Sequence, residues 1–376
     1  MKDDHNISVQ SDLPLRKRFI LSGLRLPTVS SLRRRSIIPV SNRRPDFSSR
    51  YDFHTIAYDC IHLPKWNAVV LICPKLLNLE QPLRKAQFLI DGAEVRLKKV
   101  KRFKRYDEIW LRCRAPFPDE LECRLDATVL TAPIAKPCDE FSGRRVLCTK
   151  SRNNRLEWIY DWVDHHVRNQ GTDSVLLFDN GSDAYTTDDL EAALCQVTGL
   201  RQVVIVAAPF PFGAMGLKKP RNKALFLQTG LLNLARYRFL HCARSTIHCD
   251  IDELAFSDGA TLHEKAEASL FGYVTAKVVW RHLPKDHTGP IDHSSHTMRR
   301  SRETQTKEKW CISINFLNRF FSHDVHGIGG YLFNRIINIR SSRFLHCYSI
   351  STNWKSVRKN QIWDLVPALD GSLGNR

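Results

Sequence analysis

At 376 residues the chain exceeds the usual reach of one hydrophobic core, so two domains are expected; 43% hydrophobic and 26% charged residues describe an ordinary globular protein. No run approaches the roughly 20 apolar residues of a membrane span, and the best leader candidate, Phe19 to Val29, is broken by Arg25 and Pro27 with no small-residue cleavage site behind it. The formal net charge of +18 leaves a surplus of Lys and Arg that suits nucleic acid, anionic lipid or phosphorylated ligands.

Eleven cysteines lie scattered without a Cys-x-x-Cys pair, which reads as reduced thiols in a cytoplasmic protein. His293/His296 and His323/His326 have His-x-x-His spacing but lack an adjacent cysteine or a glutamate placed as in a zincin helix, so zinc is not expected.

Much of the positive charge is local. Residues 1–50 carry Arg16-Lys-Arg18, Arg33-Arg-Arg35 and Arg43-Arg44 amid Ser, Pro and Asn, and read as a disordered basic arm. Such an arm is either a plain solvated tail or a peripheral contact with an anionic membrane surface or polyanion. Residues 51–140 hold short β-type runs at 54–58, 68–72, 86–90, 93–97, 108–112 and 120–130, broken by turn signals such as Asp91-Gly92; a small antiparallel β-sandwich is expected. The ribbon Arg96 to Arg105 has interleaved hydrophobics that fit either a nucleic-acid-binding face or a charged edge strand that blocks aggregation.

From Gly143 strands alternate with helices: a strand at 145–149, a helix at 156–169, a strand at 174–178, a helix at 187–197, a strand at 202–206, a helix at 224–240 and a strand at 245–249. That alternation predicts βαβ units and a parallel sheet, whose ligands collect at the carboxyl ends of the strands. Those ends are polar: Thr149, the run Asp179-Asn-Gly-Ser-Asp183, and Asp250-Ile-Asp-Glu253. Alternating carboxylates at a strand end supply the oxygen ligands of a hard cation such as Mg²⁺ or Mn²⁺. Asn180-Gly181 equally signals a tight turn without any ligand. No Gly-x-Gly-x-x-Gly follows the first strand and no Gly-Lys-Ser/Thr occurs, which argues against dinucleotide oxidoreductases and P-loop enzymes.

Three blocks carry a family resemblance: Leu147-Cys-Thr-Lys-Ser-Arg-Asn-Asn-Arg-Leu-Glu-Trp-Ile159 with Leu176-Leu-Phe-Asp-Asn-Gly-Ser182; Pro209 to Gly213 through Gln228 and Arg236 to Leu240, ending in Asp250-Ile-Asp-Glu253; and Phe344-Leu-His-Cys-Tyr348. In order and spacing they resemble nucleotide-sugar glycosyltransferases of the GT-A fold, of the family-two-like and family-ninety-two-like bacterial kinds. The resemblance implies an α/β fold with a Rossmann-like mixed sheet over 141–360, a β-rich accessory domain before it and a short tail at 361–376. It also implies a donor pocket lined by Thr149, Asn153 and Asp179, a Mn²⁺ or Mg²⁺ ion held by Asp250 and Asp252, and a closing histidine, His346 with His326 as the competitor. The partners would be a UDP- or GDP-sugar donor and a glycan or glycolipid acceptor, at the inner face of the membrane.

The chemistry agrees with that set. A leaving diphosphate needs a Lewis acid and neighbouring cations, for which Lys218, Lys219, Arg221, Lys223, Lys355 and Arg358 are candidates. An inverting transfer also needs a carboxylate base, with Glu253, Asp286, Asp292 and Asp324 available. Two other classes use the same features: a nucleic-acid-binding protein working through the basic segments, and a metal-dependent phosphohydrolase or nuclease working through the carboxylates. The polar stretch 282–309 reads as a mobile acceptor loop or a disordered insertion.

Overall fold

The computed structural model describes residues 13–217, 223–302, 307–315, 317–318, 320–329, 338–350, 352 and 364–368. A mixed sheet of nine strands forms the centre. In chain order these are β1 (Leu15–Ile20), β2 (Arg145–Ser151), β3 (Ser174–Asp179), β4 (Gln202–Ala207), β5 (Ser245–His248), β6 (Glu253–Ser257), β7 (Tyr273–Arg281), β8 (Glu308–Ile312) and β9 (Asn338–Cys347). Their order across the sheet is β1-β4-β3-β2-β5-β8-β7-β9-β6. The first five in that order run parallel, β8 is antiparallel to both its neighbours, and β6 returns antiparallel to β9.

Strand alternation assigns the two faces of this sheet. Leu147, Val175, Leu177, Val203, Ile205 and Ile247 point to one side, against helices α1 (Leu156–Gln170), α2 (Thr187–Cys195) and, beside α3 (Leu227–Arg238) in sequence, α4 (Leu262–Ala268). The intervening residues, Val146, Cys148, Leu176, Phe178, Val204 and Val206, point to the other side, against α3. A side-chain period of two buried on both faces is what makes these strands continuous apolar runs. Gly171 closes α1 at φ 65°, and Thr186 caps α2 in a reciprocal pair with Asp189.

Beyond α3 lie two four-stranded antiparallel sheets. One has the order Asp59–Leu63, Ala68–Pro74, Tyr106–Arg112, Leu97–Arg102; the other Ala93–Val95, Gln87–Ile90, Glu120–Leu125, Thr128–Pro133. Val69, Leu71 and Cys73 face the second sheet, while Ala68, Val70 and Ile72 face α3, so this strand too is buried on both sides. Helix α3 seats closely because Gly230 meets Tyr58, where a Cβ would come within 2.5 Å of the ring. The run at 54–58 forms an isolated bridge rather than a strand, and the run at 120–130 is a hairpin turned at Asp126, whose φ is 50°.

Residues 13–50 are not the unstructured arm that their composition implies; 1–12 lie outside the described residues. β1 extends the central sheet in register with β4, pairing Leu15 with Gln202. Its charges are spent locally: Arg18 meets Glu191 at 2.8 Å and Asp188 at 2.6 Å, so a basic sequence serves as a charged edge strand. Arg34 is fully buried, with its guanidinium on the Lys75, Asp52 and Thr55 carbonyls and 3.5 Å from the Asp52 carboxylate. The ribbon 96–105 behaves similarly: Lys99 and Lys101 lie over the Trp110 ring, and Arg102 pairs with Glu80.

The core also holds neutral histidines. His263, between Thr172 and Ser245, and His248, on the Cys148 carbonyl, are both pushed down to about 3, chiefly by burial.

Two outcomes are expected. Arg34→Met leaves the buried Asp52 carboxylate without its cation and lowers unfolding free energy by about 3–5 kcal/mol in urea titrations; a change within about 0.5 kcal/mol would mean that the segment contributes nothing. Because the folded state keeps His263 and His248 neutral while the unfolded chain protonates near pH 6.5, stability is complete above that pH and falls as pH drops toward 3. Each histidine contributes a slope of about 1.4 kcal/mol per pH unit in that window. A melting temperature flat from pH 7 to 4.5 would contradict it.

Candidate functional site

The parallel sheet changes direction of winding at β2: β3 and β4 follow on one side, and β5 lies on the other. Ligands of open α/β sheets bind in the crevice beyond the carboxyl ends at such a switch point. Here that crevice lies between the end of β2 and the end of β5, and Lys150 and Asp250 stand across it.

The acidic run makes a tight reversal from β5 into β6. The Glu253 N–H donates to the Asp250 carbonyl at 3.0 Å, and the Asp250 N–H donates to Glu253 Oε2 at 2.8 Å. Ile251, 3% exposed, plugs the turn into the core. His293 Nε2 donates to the Ile251 carbonyl at 2.8 Å from the loop before residue 298. β6 then pairs with β9 so that Glu253 lies opposite His346, and the Cys347 N–H donates to the Asp252 carbonyl. Strand register thus delivers His346 to the acidic run from nearly a hundred residues away.

Two lysines from the strands flanking β5 converge on this turn. Lys150 of β2 donates to Asp250 Oδ1 at 3.0 Å, and Lys309 of β8 to Asp250 Oδ2 at 2.9 Å and to Glu253 Oε2 at 2.7 Å. Gln228 Nε2, from α3, reaches Asp250 Oδ1 at 3.4 Å. Lys309 is fully buried; burial works against its charge, and the carboxylates of Asp250 and Glu253 outweigh it and hold the ammonium above its usual range. Burial first, and then Lys223, Arg105 and Lys309, push the Lys307 ammonium down.

Asp252, Glu253 and His346 each bring a ligand atom within 4.8 Å of one another. His346 Nε2 lies 3.1 Å from Asp252 Oδ2 and Nδ1 3.5 Å from Glu253 Oε1. Burial opposes its protonation, yet Asp252 and Glu253 raise it to about 9, so an imidazolium balances the two carboxylates. Its ring lies 4.0 Å from that of Trp280, whose other neighbours are Arg300 and Tyr348. The competitor, His326, has the opposite state: burial, Lys309 and Lys307 push it down to about 2, and it donates through Nδ1 to the Glu308 carbonyl.

The remaining expected residues divide. Asp179 ends β3 level with Ser151, but both its oxygens accept from Ser182, at 2.5 and 3.1 Å. Asn153, at φ 54°, closes the same loop by accepting from the Asp183 and Ala184 N–H groups and donating to Asp183 Oδ1. Thr149 is buried in β2 with an Oγ1 that has no hydrogen-bond partner. Lys223 opens a two-residue strand paired with Ala214–Met215.

Among the base candidates, Glu253 is 3% exposed, with Oε2 taken by Lys309 and the Asp250 N–H and Oε1 turned to His346. Asp292 Oδ1 accepts from Ser294 and Ser295 in its own turn, and Asp324 Oδ1 accepts from the Val325 N–H. Lys355 and Arg358 lie outside the described residues. Lys150 and Lys309 escaped sequence reading. Their signal was present in a lysine two residues past the β2 core and in the alternation of Lys309 and Cys311 with Trp310 and Ile312.

Compared with protein-family models and with curated proteins, the chain matches none.

Lys309→Met removes one of the two lysines described on Asp250 and the ammonium described on Glu253. It is expected to destabilise the fold by about 3–5 kcal/mol, read by urea denaturation; a loss below about 1 kcal/mol would show that the carboxylates do not depend on it.

Proposed function

We propose that the chain is a nucleotide-sugar-dependent glycosyltransferase with a GT-A-type catalytic region, acting on a cell-surface polysaccharide or lipopolysaccharide acceptor. One observation carries this reading: the Asp250-Ile-Asp-Glu253 turn sits at the switch-point crevice with His346 brought onto Asp252 by strand register. The mixed sheet with its acidic run behind β5, the fifth parallel strand, agrees with it.

A Mn²⁺ or Mg²⁺ ion would be held by Asp252, Glu253 and His346, where it would supply Lewis-acid stabilisation of the leaving diphosphate. The fit rests on the donor set: two carboxylates and one imidazole within 4.8 Å of each other. Asp250, named as a ligand by the resemblance, is instead neutralised by Lys150 and Lys309, so the metal assignment moves by one pair to Asp252 and Glu253. Lys150 and Lys309 hold Asp250 fixed, and the Lys307 and Lys223 side chains offer positive charge to phosphate oxygens. Asp179 and Asn153 shape the loop at the β3 end that would receive the nucleoside. No helix among the described residues is long and apolar enough to cross a membrane.

A second reading, nucleic-acid binding, is favoured by a cleft of about 350 Å³ lined by Trp66, Asn67, Arg96, Leu97, Lys98, Arg112 and Arg114. Cations beside an aromatic ring suit a polyanion with stacking groups.

Thermal melting with UDP, GDP and their sugars, with and without Mn²⁺, separates these readings. The glycosyltransferase reading expects a Mn²⁺-dependent rise with one nucleotide, corresponding to about 2.7 kcal/mol at a ligand concentration a hundredfold above Kd, and its loss in Asp252→Ala. Unchanged nucleotide binding in that variant would sink it. Strongly salt-dependent oligonucleotide binding that survives Asp252→Ala would favour the second reading.

A further inference from the structure

At the amino ends of β2 and β5, the end of the sheet opposite to the acidic turn, two dipeptides meet. Cys138-Asp139 lies in the connection from the antiparallel layers into β2, and His241-Cys242 in the connection from α3 into β5. Main-chain hydrogen bonds staple the two segments together. The Cys138 N–H donates to the Arg238 carbonyl at 2.8 Å, the Gly143 N–H to the Cys242 carbonyl at 3.1 Å, and Ser142 forms an antiparallel bridge with Ala243.

On this frame the Asp139 carboxylate, the His241 imidazole and the Cys242 thiol bring one ligand atom each within 4.8 Å of one another. Asp139 Oδ1 and His241 Nε2 are 3.2 Å apart, and the Asp139 side chain is 81% exposed, so an ion reaches the cluster from solvent. The Cys242 thiol donates to the Cys138 carbonyl at 4.0 Å, which holds the sulfur against the first dipeptide.

We propose that Asp139, His241 and Cys242 form a metal site selective for zinc, separate from the carboxylate cluster at the strand ends. The donor chemistry sets the selectivity: thiolate with imidazole favours a borderline-soft ion, whereas Mg²⁺ and Mn²⁺ prefer oxygen sets. With Zn–S near 2.3 Å and Zn–N near 2.0 Å, tetrahedral ligand atoms sit roughly 3.3–3.8 Å apart. The exposed Asp139 and His241 side chains close that gap by rotation while the stapled main chain stays in place. Three protein ligands leave the fourth position to water.

Burial first, and then Asp139, push the Cys242 thiol up to about 11, and burial pushes the His241 imidazole down. In the metal-free protein the thiol is therefore protonated and the ring neutral. Binding forms the zinc–sulfur bond and releases the thiol proton to solvent, so affinity rises with pH. The bound ion ties the entry to β2 to the end of α3, two segments about a hundred residues apart in the chain.

The test uses metal-stripped full-length protein titrated with Zn²⁺ and with Co²⁺, whose thiolate ligation gives a charge-transfer absorption. Wild type and Asp252→Ala are both expected to show that absorption and a melting temperature raised by zinc. Cys242→Ser is expected to lose the absorption, and His241→Ala to bind zinc at least tenfold more weakly. Absence of the absorption in wild type, or its persistence in Cys242→Ser, overturns the proposal. Failure of nucleotide binding alone leaves these readouts unmoved.

Discussion

Two buried ammonium groups facing two carboxylates, Asp250 and Glu253, set the terms for the rest of the molecule. Asp250 has Lys150 on one side and Lys309 on the other, and both partners come from strands adjacent to β5. Removing one partner of a largely buried pair is far more harmful than the pair is helpful. Glu253 shares Lys309 with Asp250 and closes the turn through the Asp250 N–H, so one cation fixes both the backbone reversal and the direction of the acidic side chains. The turn, the β6 strand that leaves it and the His346 register all follow from that arrangement.

Charge in this protein is therefore organised by neutralisation near the centre and by excess at the rim. Inside, His346 supplies a proton to balance Asp252 and Glu253, while His326, a short way off among lysines, stays neutral. Two histidines of similar burial take opposite states because the field of their neighbours has opposite sign. Toward solvent, Lys223 and Lys307 crowd one another.

Half of this was legible in the residues. The βαβ portion from Arg145 to His248 matched its periodicity closely, because strands buried on both faces and helices with one apolar stripe leave strong local patterns. The acidic run also stood out, as carboxylates directly after an apolar strand have few structural uses. The later strands did not. β8 follows a long polar stretch, and its first two residues, Glu308 and Lys309, read as the end of that loop. Its strand character comes from pairing with β5 and β7, which are far away in sequence. The amino-terminal segment failed for a related reason: Arg16, Arg18 and Arg34 look solvated by composition, yet Glu191, Asp188 and Asp52 receive them.

By itself, then, the sequence determined the alternating strands and helices of the central region, the β-rich character of 51–140 and the place of the acidic turn at a strand end. These are local properties, written in periodicity and in single residues. Only the tertiary structure decided which cations face the carboxylates, that Asp250 is neutralised by lysines and that Asp252 and Glu253 meet His346. Those outcomes depend on strand order and register across some two hundred residues. Ion pairing falls off over a few ångströms, so no local pattern encodes which distant side chain will arrive.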